Sequence, residues 1–367
     1  MPALVAGIHV FLFGKTWTAG TSPAMMGKWI RKMRWPWGSI VLWGGLLIFP
    51  LAVAGSDSAD FLQDVGATLV LAAISACAWN IVGGYAGQVS VGHAIFFGAG
   101  AYLPVLVYTV WQAPPIVGLP LGIIVAVAIS LVIGIPTFRL QGHYFSMATI
   151  AVAELIRLLV SNWDLLGAAI GLQGPATPRG WWDLVFRSAV PYYYIYLAVL
   201  ALTVWITWAM ARSRFGYYLR AIRAGERAAK SLGVPVRRTK LSAFALSAAL
   251  TSVAGSLYAF KVGFVNPESG LGILVSVQMI IIAALGGAGT LYGPIIGALI
   301  LIPLQSATNT WFGGSGSGLT FVVYGGIIML IARFEPGGVM EMWTQLRRLG
   351  RKRVKSSAPA AEGPRAA

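Results

Sequence analysis

The sequence predicts an all-α fold, a polytopic bundle of about ten membrane-spanning helices, and three observations carry that prediction. Hydrophobic residues make up 57% of the 367 and charged residues only 10%, against roughly 25% charged in an ordinary soluble domain. Apolar stretches long enough to cross, or nearly cross, a hydrocarbon core of about 30 Å recur along the chain. Glycine clusters interrupt two of them in a shared pattern, which predicts an internal two-fold repeat with interrupted helices. A bundle of this kind forms one structural unit.

Residues 1–38 read as a cytoplasmic N-terminal extension. Its apolar run ALVAGIHVFLFG (3–14) has no basic residue before it, and Lys15, Lys28, Arg31, Lys32 and Arg34 follow it. That order is wrong for a cleaved signal peptide. The membrane domain occupies 39–335, with candidate spans near 39–55, 64–82, 89–110, 117–136, 144–162, 192–210, 241–260, 271–286, 293–308 and 318–333. The pair within 271–308 is short and glycine-interrupted, and reads as either two spans or one re-entrant unit.

Basic residues set the orientation. The loop 212–240 holds Arg212, Arg214, Arg220, Arg223, Arg227, Lys230, Arg237, Arg238 and Lys240 against the single acid Glu226, so it faces the cytoplasm. Ten spans then put both termini on that side, each with its own basic cluster, and put Asp57, Asp60 and Asp64 outside. The net charge of +16 is thus explained by topology at the membrane surface, not by nucleic-acid binding. The tail, 336–367, is basic and then rich in Ala, Pro and Ser, and reads as disordered, with contact to anionic lipid headgroups open to it.

Two glycine-rich segments interrupt the apolar pattern. GGYAGQVSVGHAIFFGA (83–99) and GGAGTLYGPIIGA (286–298) share a double glycine, an Ala-Gly followed by a polar residue, a later glycine and a closing Gly-Ala. Gly289, Gly293 and Gly297 would line one face of a continuous helix, whereas Pro294 argues for a break with a new half-helix starting there. Two readings stand: tight packing alone, or half-helix ends facing a water-filled path, where irregular backbone is tolerated at membrane depth. The second reading makes Gln88, Ser90, His93, Gly289, Thr290 and Gly293 the candidate translocation residues.

From Gly216 to Gly233 the central loop alternates charged and small residues at helical spacing, and Gly233 with Pro235 stops the helix. A helix lying on the inner membrane face follows, either as a basic surface element on lipid or as a docking element. Glu154 and Arg157 sit within a span, at i, i+3 and so on one helical face. Each charge costs about 2.5–3.5 kcal/mol at a helix centre, which predicts that they pair and point into the bundle. The role is either a structural salt bridge or a gate or substrate contact.

Catalytic chemistry is not predicted. His9, His93 and His143 stand apart from Cys, Asp or Glu at ligand spacing, so neither a metal nor a cofactor is expected. Cys77, the only cysteine, reads as a small buried side chain. GKT at 14–16 lacks the upstream glycine and strand of a phosphate loop. An ion-coupled carrier using Glu154, Arg157 and His93 as a proton relay is the alternative to a partner-driven transporter, and a docking loop separates the two.

The motifs together resemble the branched-chain amino-acid permeases of ATP-driven (ABC) importers. GYAGQVSVGHAIFFGAGAY is similar to that family's N-terminal signature, and RLQGHYFSMATIAVAELIRLLVSNWDLLGAAIGLQGP to its middle segment. LRAIRAGERAAKSLGVPVRRTKLSAFALSAALTSVAGSLYA resembles its coupling loop and the following span, and GGAGTLYGPIIGA completes the set. The resemblance covers roughly 60–333. It implies a non-enzymatic permease subunit of the bacterial inner membrane, working by alternating access. Its implied partners are a second, homologous permease subunit, two cytoplasmic ATP-binding subunits and a periplasmic or extracellular binding protein. Arg223, Glu226, Ala228, Ala229 and Gly233 then become the ATPase-coupling residues. The segment AAIGLQGP (168–175) departs from the Thr-Gly-Gly common in relatives, and relatives carry urea, short amides and aromatic acids as well.

Overall fold

The computed structural model describes residues 36–140, 142–175, 183–311, 325–326 and 338–340. The N-terminal extension before 36, most of the candidate span 318–333 and the basic tail beyond 340 lie outside the described residues.

The described chain folds as helices in the order α1 (Pro36–Val53), α2 (Ala59–Asn80), α3 (Ala94–Trp111), α4 (Gly118–Thr137), α5 (His143–Ser161), α6 (Ala189–Arg212), α7 (Arg214–Ala224), α8 (Glu226–Ser231), α9 (Val236–Val262), α10 (Pro267–Leu271), α11 (Ile273–Gly286) and α12 (Gly293–Trp311). Among the described residues, seven segments are long and apolar enough to cross a membrane: 59–85, 94–111, 115–137, 143–161, 189–212, 236–262 and 267–286. Six of the predicted spans match these within a few residues. The expected span at 89–110 starts later, at Ala94, because 86–93 is not helical.

A pair of two-residue strands is the one departure from an all-helical chain among the described residues. β1 (Leu172–Gln173) pairs antiparallel with β2 (Phe264–Val265), Leu172 opposite Val265. It ties the loop after α5 to the turn between α9 and α10. That turn is set by Gly263, left-handed at the end of α9, and by an Asn266 capping box in which Oδ1 accepts from Ser269 N at 2.7 Å.

The core centres on α2, where Trp79, Ile74, Val70 and Ala73 are fully enclosed. Three tyrosines of α6 fix its neighbours. Tyr193 donates to Leu46 O (2.7 Å), Tyr196 to Leu257 O (2.7 Å) and Tyr192 to Phe260 O (3.2 Å), so the YYYIY run bolts α1 and α9 to α6 through backbone carbonyls. Buried tyrosines need such partners, since an unmade hydrogen bond in the core costs about 1–3 kcal/mol. By contrast α4 and α5 turn large apolar side chains outward, among them Ile124, Val132, Leu155 and Leu159, as helices do that meet lipid or another chain.

The 271–308 region is a helical hairpin, not a continuous helix. α11 and α12 pack with Gly286 against Gly293 and Gly297 against Ile282, so close that a Cβ on Gly286 or Gly297 would collide with the opposing carbonyl. α11 has 14 residues and α12 has 19, about 21 Å and 28 Å long at 1.5 Å per residue, and of the two only α11, within 267–286, belongs to a segment counted among those long and apolar enough to cross. Pro294 sits in the first turn of α12, where its missing N–H costs no helical bond.

Candidate functional site

Two breaks define the site. The first follows α2, whose end loosens into a π-helical turn at Ile81–Tyr85 before the irregular segment 86–93. The second is 287–292, between α11 and α12. Asn80 joins them: its Oδ1 accepts from Gly289 N at 2.7 Å, and its Nδ2 donates to Thr290 O at 2.9 Å. One side chain therefore substitutes for the helical partners that the second break gives up.

The first break is satisfied by neighbouring helices. Trp79 Nε1 donates to Ser90 O (2.8 Å), Ser146 Oγ to Val89 O (2.6 Å), and Val91 N donates to Thr149 Oγ1 (3.2 Å). Ala94 N donates to Ser276 Oγ at 2.7 Å. His93 Nε2 meets Ser247 Oγ at 2.9 Å, and that hydroxyl donates to Ala78 O at 2.7 Å. The His93 ring also makes edge contacts with Trp79, Phe96 and Phe244. Ser90 and His93 are thus enclosed, whereas Gln88, Gly289 and Thr290 are half-buried. Gly293 is buried in the hairpin. Asn80, Ser146, Thr149, Ser247 and Ser276 are the partners that sequence reading missed. Serines and threonines at helical spacing in apolar runs were the signal that could have found them.

The central loop is two helices, not one. α7 ends at Ala224, Gly225 takes an extended backbone, and α8 starts at Glu226. The coupling residues predicted there divide accordingly. Ala228 and Gly233 are exposed, with Arg227, Lys230 and Leu232 beside them, and Leu232 is 83% exposed. Ala229 is buried against Ile222 and Val236. Glu226 turns inward, its carboxylate 2.5 Å from Lys240 Nζ, and Lys240 is 1% exposed beneath α8 with its ammonium 5.9 Å from the Phe138 ring centroid. Arg223 also turns inward: Nη1 donates to Gly84 O and, at 3.5 Å, to Ala288 O.

Glu154 and Arg157 pair as expected, Nη2 to Oε1 at 2.5 Å and Nε to Oε2 at 3.0 Å. Their place differs from the expectation that they point into the bundle. Glu154 is 47% exposed, and Arg157 reaches outward to Glu268 Oε2 at 3.4 Å as well. The inward stripe of α5 is Phe145, Ser146, Thr149 and Ala153. Residue 154 lies about 100° round the helix from 153, off that stripe.

A family model described as "Branched-chain amino acid transport system / permease component" matches residues 62–332. The chain belongs to this permease family. The high-affinity branched-chain amino acid transport system permease protein LivM of Escherichia coli is 29% identical over 307 residues, covering 76% of this chain and 70% of the relative. BraD of Pseudomonas aeruginosa, a permease protein of the same kind of system, is 25% identical over 299 residues (75% and 92%). The autoinducer 2 import system permease protein LsrC of Klebsiella pneumoniae is 32% identical over 146 residues (37% and 42%). A solved structure, PsaBC from Streptococcus pneumoniae in complex with Fab, superposes with a TM-score of 0.42 at 19% identity over 78% of this chain and 95% of that one. With seven apolar helices long enough to cross a membrane among its described residues, the permease is a multi-pass protein of the bacterial inner membrane.

Proposed function

We propose that the permease is the membrane subunit of an ATP-driven importer that moves branched-chain amino acids or similar small polar solutes by alternating access. It works beside a second, homologous permease, with two ATP-binding subunits on the cytoplasmic side and a binding protein outside. Ten spans place both termini in the cytoplasm. Gln88 and Thr290, with Gly289, line the path where the two helix breaks adjoin, and Ser90, His93 and Gly293 support it from behind. The outward Glu154–Arg157–Glu268 group faces the second permease or the path, since lipid is a costly neighbour for charge.

The observation that carries this reading is the form of α8. Its outer face presents Arg227, Ala228, Lys230 and the exposed Leu232, a small basic surface with one apolar knob, while its inner face is anchored by Glu226 to the buried Lys240. A helix solvated for its own sake has no need of such an anchor, and an ion-coupled carrier has no need of the docking face. Reconstitution with the ATP-binding subunits tests it. Ala228→Glu with Leu232→Asp, both exposed, should leave insertion intact and lower ATP-dependent uptake at least tenfold, about 1.4 kcal/mol or more of lost coupling. Uptake at the parent rate would reject the docking assignment.

A further inference from the structure

We propose that Arg223 is a latch that holds the two helix breaks together and connects them to the loop helices, so that a displacement of α7 and α8 opens or closes the path at that end. The inference rests on the permease reading for its role in transport, but its geometry stands apart from that reading. Gly84 lies in the terminal turn of α2 and Ala288 just past the end of α11. Both are helix C-termini, whose carbonyls carry partial negative charge and lack onward helical donors. The guanidinium donates to one carbonyl from each, and hydrogen bonds from a charged donor are about twice as strong as neutral ones.

The surrounding glycines give a second, independent observation. Gly87 packs on the Cβ and Cγ of Arg223, and Gly289 packs on its guanidinium; a side chain at either position would meet the arginine. Gly87 and Gly289 are the second residues of the two Ala-Gly pairs that the glycine-rich segments share, Ala86-Gly87-Gln88 and Ala288-Gly289-Thr290. The likeness between the segments therefore converges on a single side chain from outside both. Arg223 also stands two residues before Gly225 and three before Glu226, whose bond to Lys240 fixes α8 to the start of α9. Movement of the loop helices is carried to the breaks through this short, anchored path. Asn80 forms a separate tie between the same segments that does not involve the loop.

The experiment uses the full chain in opened membrane vesicles with two cysteine reporters: Thr290→Cys in a Cys77→Ala background, and the native Cys77, buried in α2, as the control. Labelling rates with a hydrophilic maleimide are compared for the parent, Arg223→Gln and Arg223→Lys. The expected result is roughly tenfold faster labelling at position 290 in Arg223→Gln, the scale of a lost charged hydrogen bond. Arg223→Lys should fall between, since an ammonium can donate to both carbonyls as the single nitrogen Nη1 does, but from a shorter side chain, and Cys77 should be unchanged. Rates at 290 within twofold of the parent would overturn the latch, as would an equal rise at Cys77, which would mean general loosening. In the reconstituted importer, Arg223→Gln should hydrolyse ATP with little uptake. Faster labelling with normal uptake would leave the latch in place and instead count against the transport role assigned to the path.

Discussion

Arg157 serves two carboxylates, Glu154 on its own helix and Glu268 on α10, and the asymmetry has a measurable consequence. Arg157→Gln leaves two like charges near each other without a cation, whereas Glu154→Gln leaves Arg157 with Glu268. Thermal stability in detergent should therefore fall most for Arg157→Gln and least for Glu154→Gln, and the double variant should recover part of the loss. Strictly additive losses would show that the pair is not coupled. A second residue-scale contrast lies at Glu226. Because it neutralises a lysine that is 1% exposed, Glu226→Gln should destabilise the chain by about 3–5 kcal/mol, and Glu226→Gln with Lys240→Met should restore most of it. A transport defect in Glu226→Lys would then report a broken anchor and not a lost contact with the ATPase.

At the scale of elements, the α11–α12 hairpin depends on backbone approach at Gly286 and Gly297, where a methyl group would strike the carbonyls of Gly293 and Ile282. Backbone cannot yield as a flexible side chain does, so Gly286→Ala or Gly297→Ala should cost at least about 1–3 kcal/mol, as overpacking usually does, and lower the yield of monodisperse protein. Gly45→Ala is the control: it lies within α1, and nothing lies within 4 Å of the added carbon, so the change should be neutral or stabilise by up to about 1 kcal/mol. Equal losses for the two substitutions, measured by thermal unfolding, would refute the close-packing account.

For the whole molecule, the proposed topology puts the turn between α1 and α2 and the loop helices on opposite sides of the membrane. Ser58 and Ser231 are both exposed, and each can carry a single cysteine in a Cys77→Ala background. In intact cells whose outer barrier is permeabilised, Ser58→Cys should react with an impermeant thiol reagent and Ser231→Cys should react only after the inner membrane is opened. The reverse pattern would invert the orientation read from the basic residues.

Composition and periodicity were enough to determine the class of this protein. An apolar chain with short basic loops can satisfy its backbone only as membrane helices, and the helix pattern, the two glycine breaks, the Glu154–Arg157 pairing and the helix in the central loop, though not its division at Gly225, were legible because each depends on residues near one another in sequence. What only the tertiary structure decided is which way side chains turn. Arg223 and Glu226 stand in a basic surface stretch, and nothing local says that they turn inward while Arg227 and Lys230 turn outward; their partners, Gly84, Ala288 and Lys240, lie 14 to 139 residues away. Ser90 and His93 read as polar residues in search of water, yet Trp79 donates to the Ser90 carbonyl, Ser247 meets His93 Nε2 and aromatic rings enclose the imidazole. Glu154 and Arg157 cancel one another's charge but lie outside the bundle of a single chain, since the inward stripe of α5 is set by packing against other helices and not by the charges themselves.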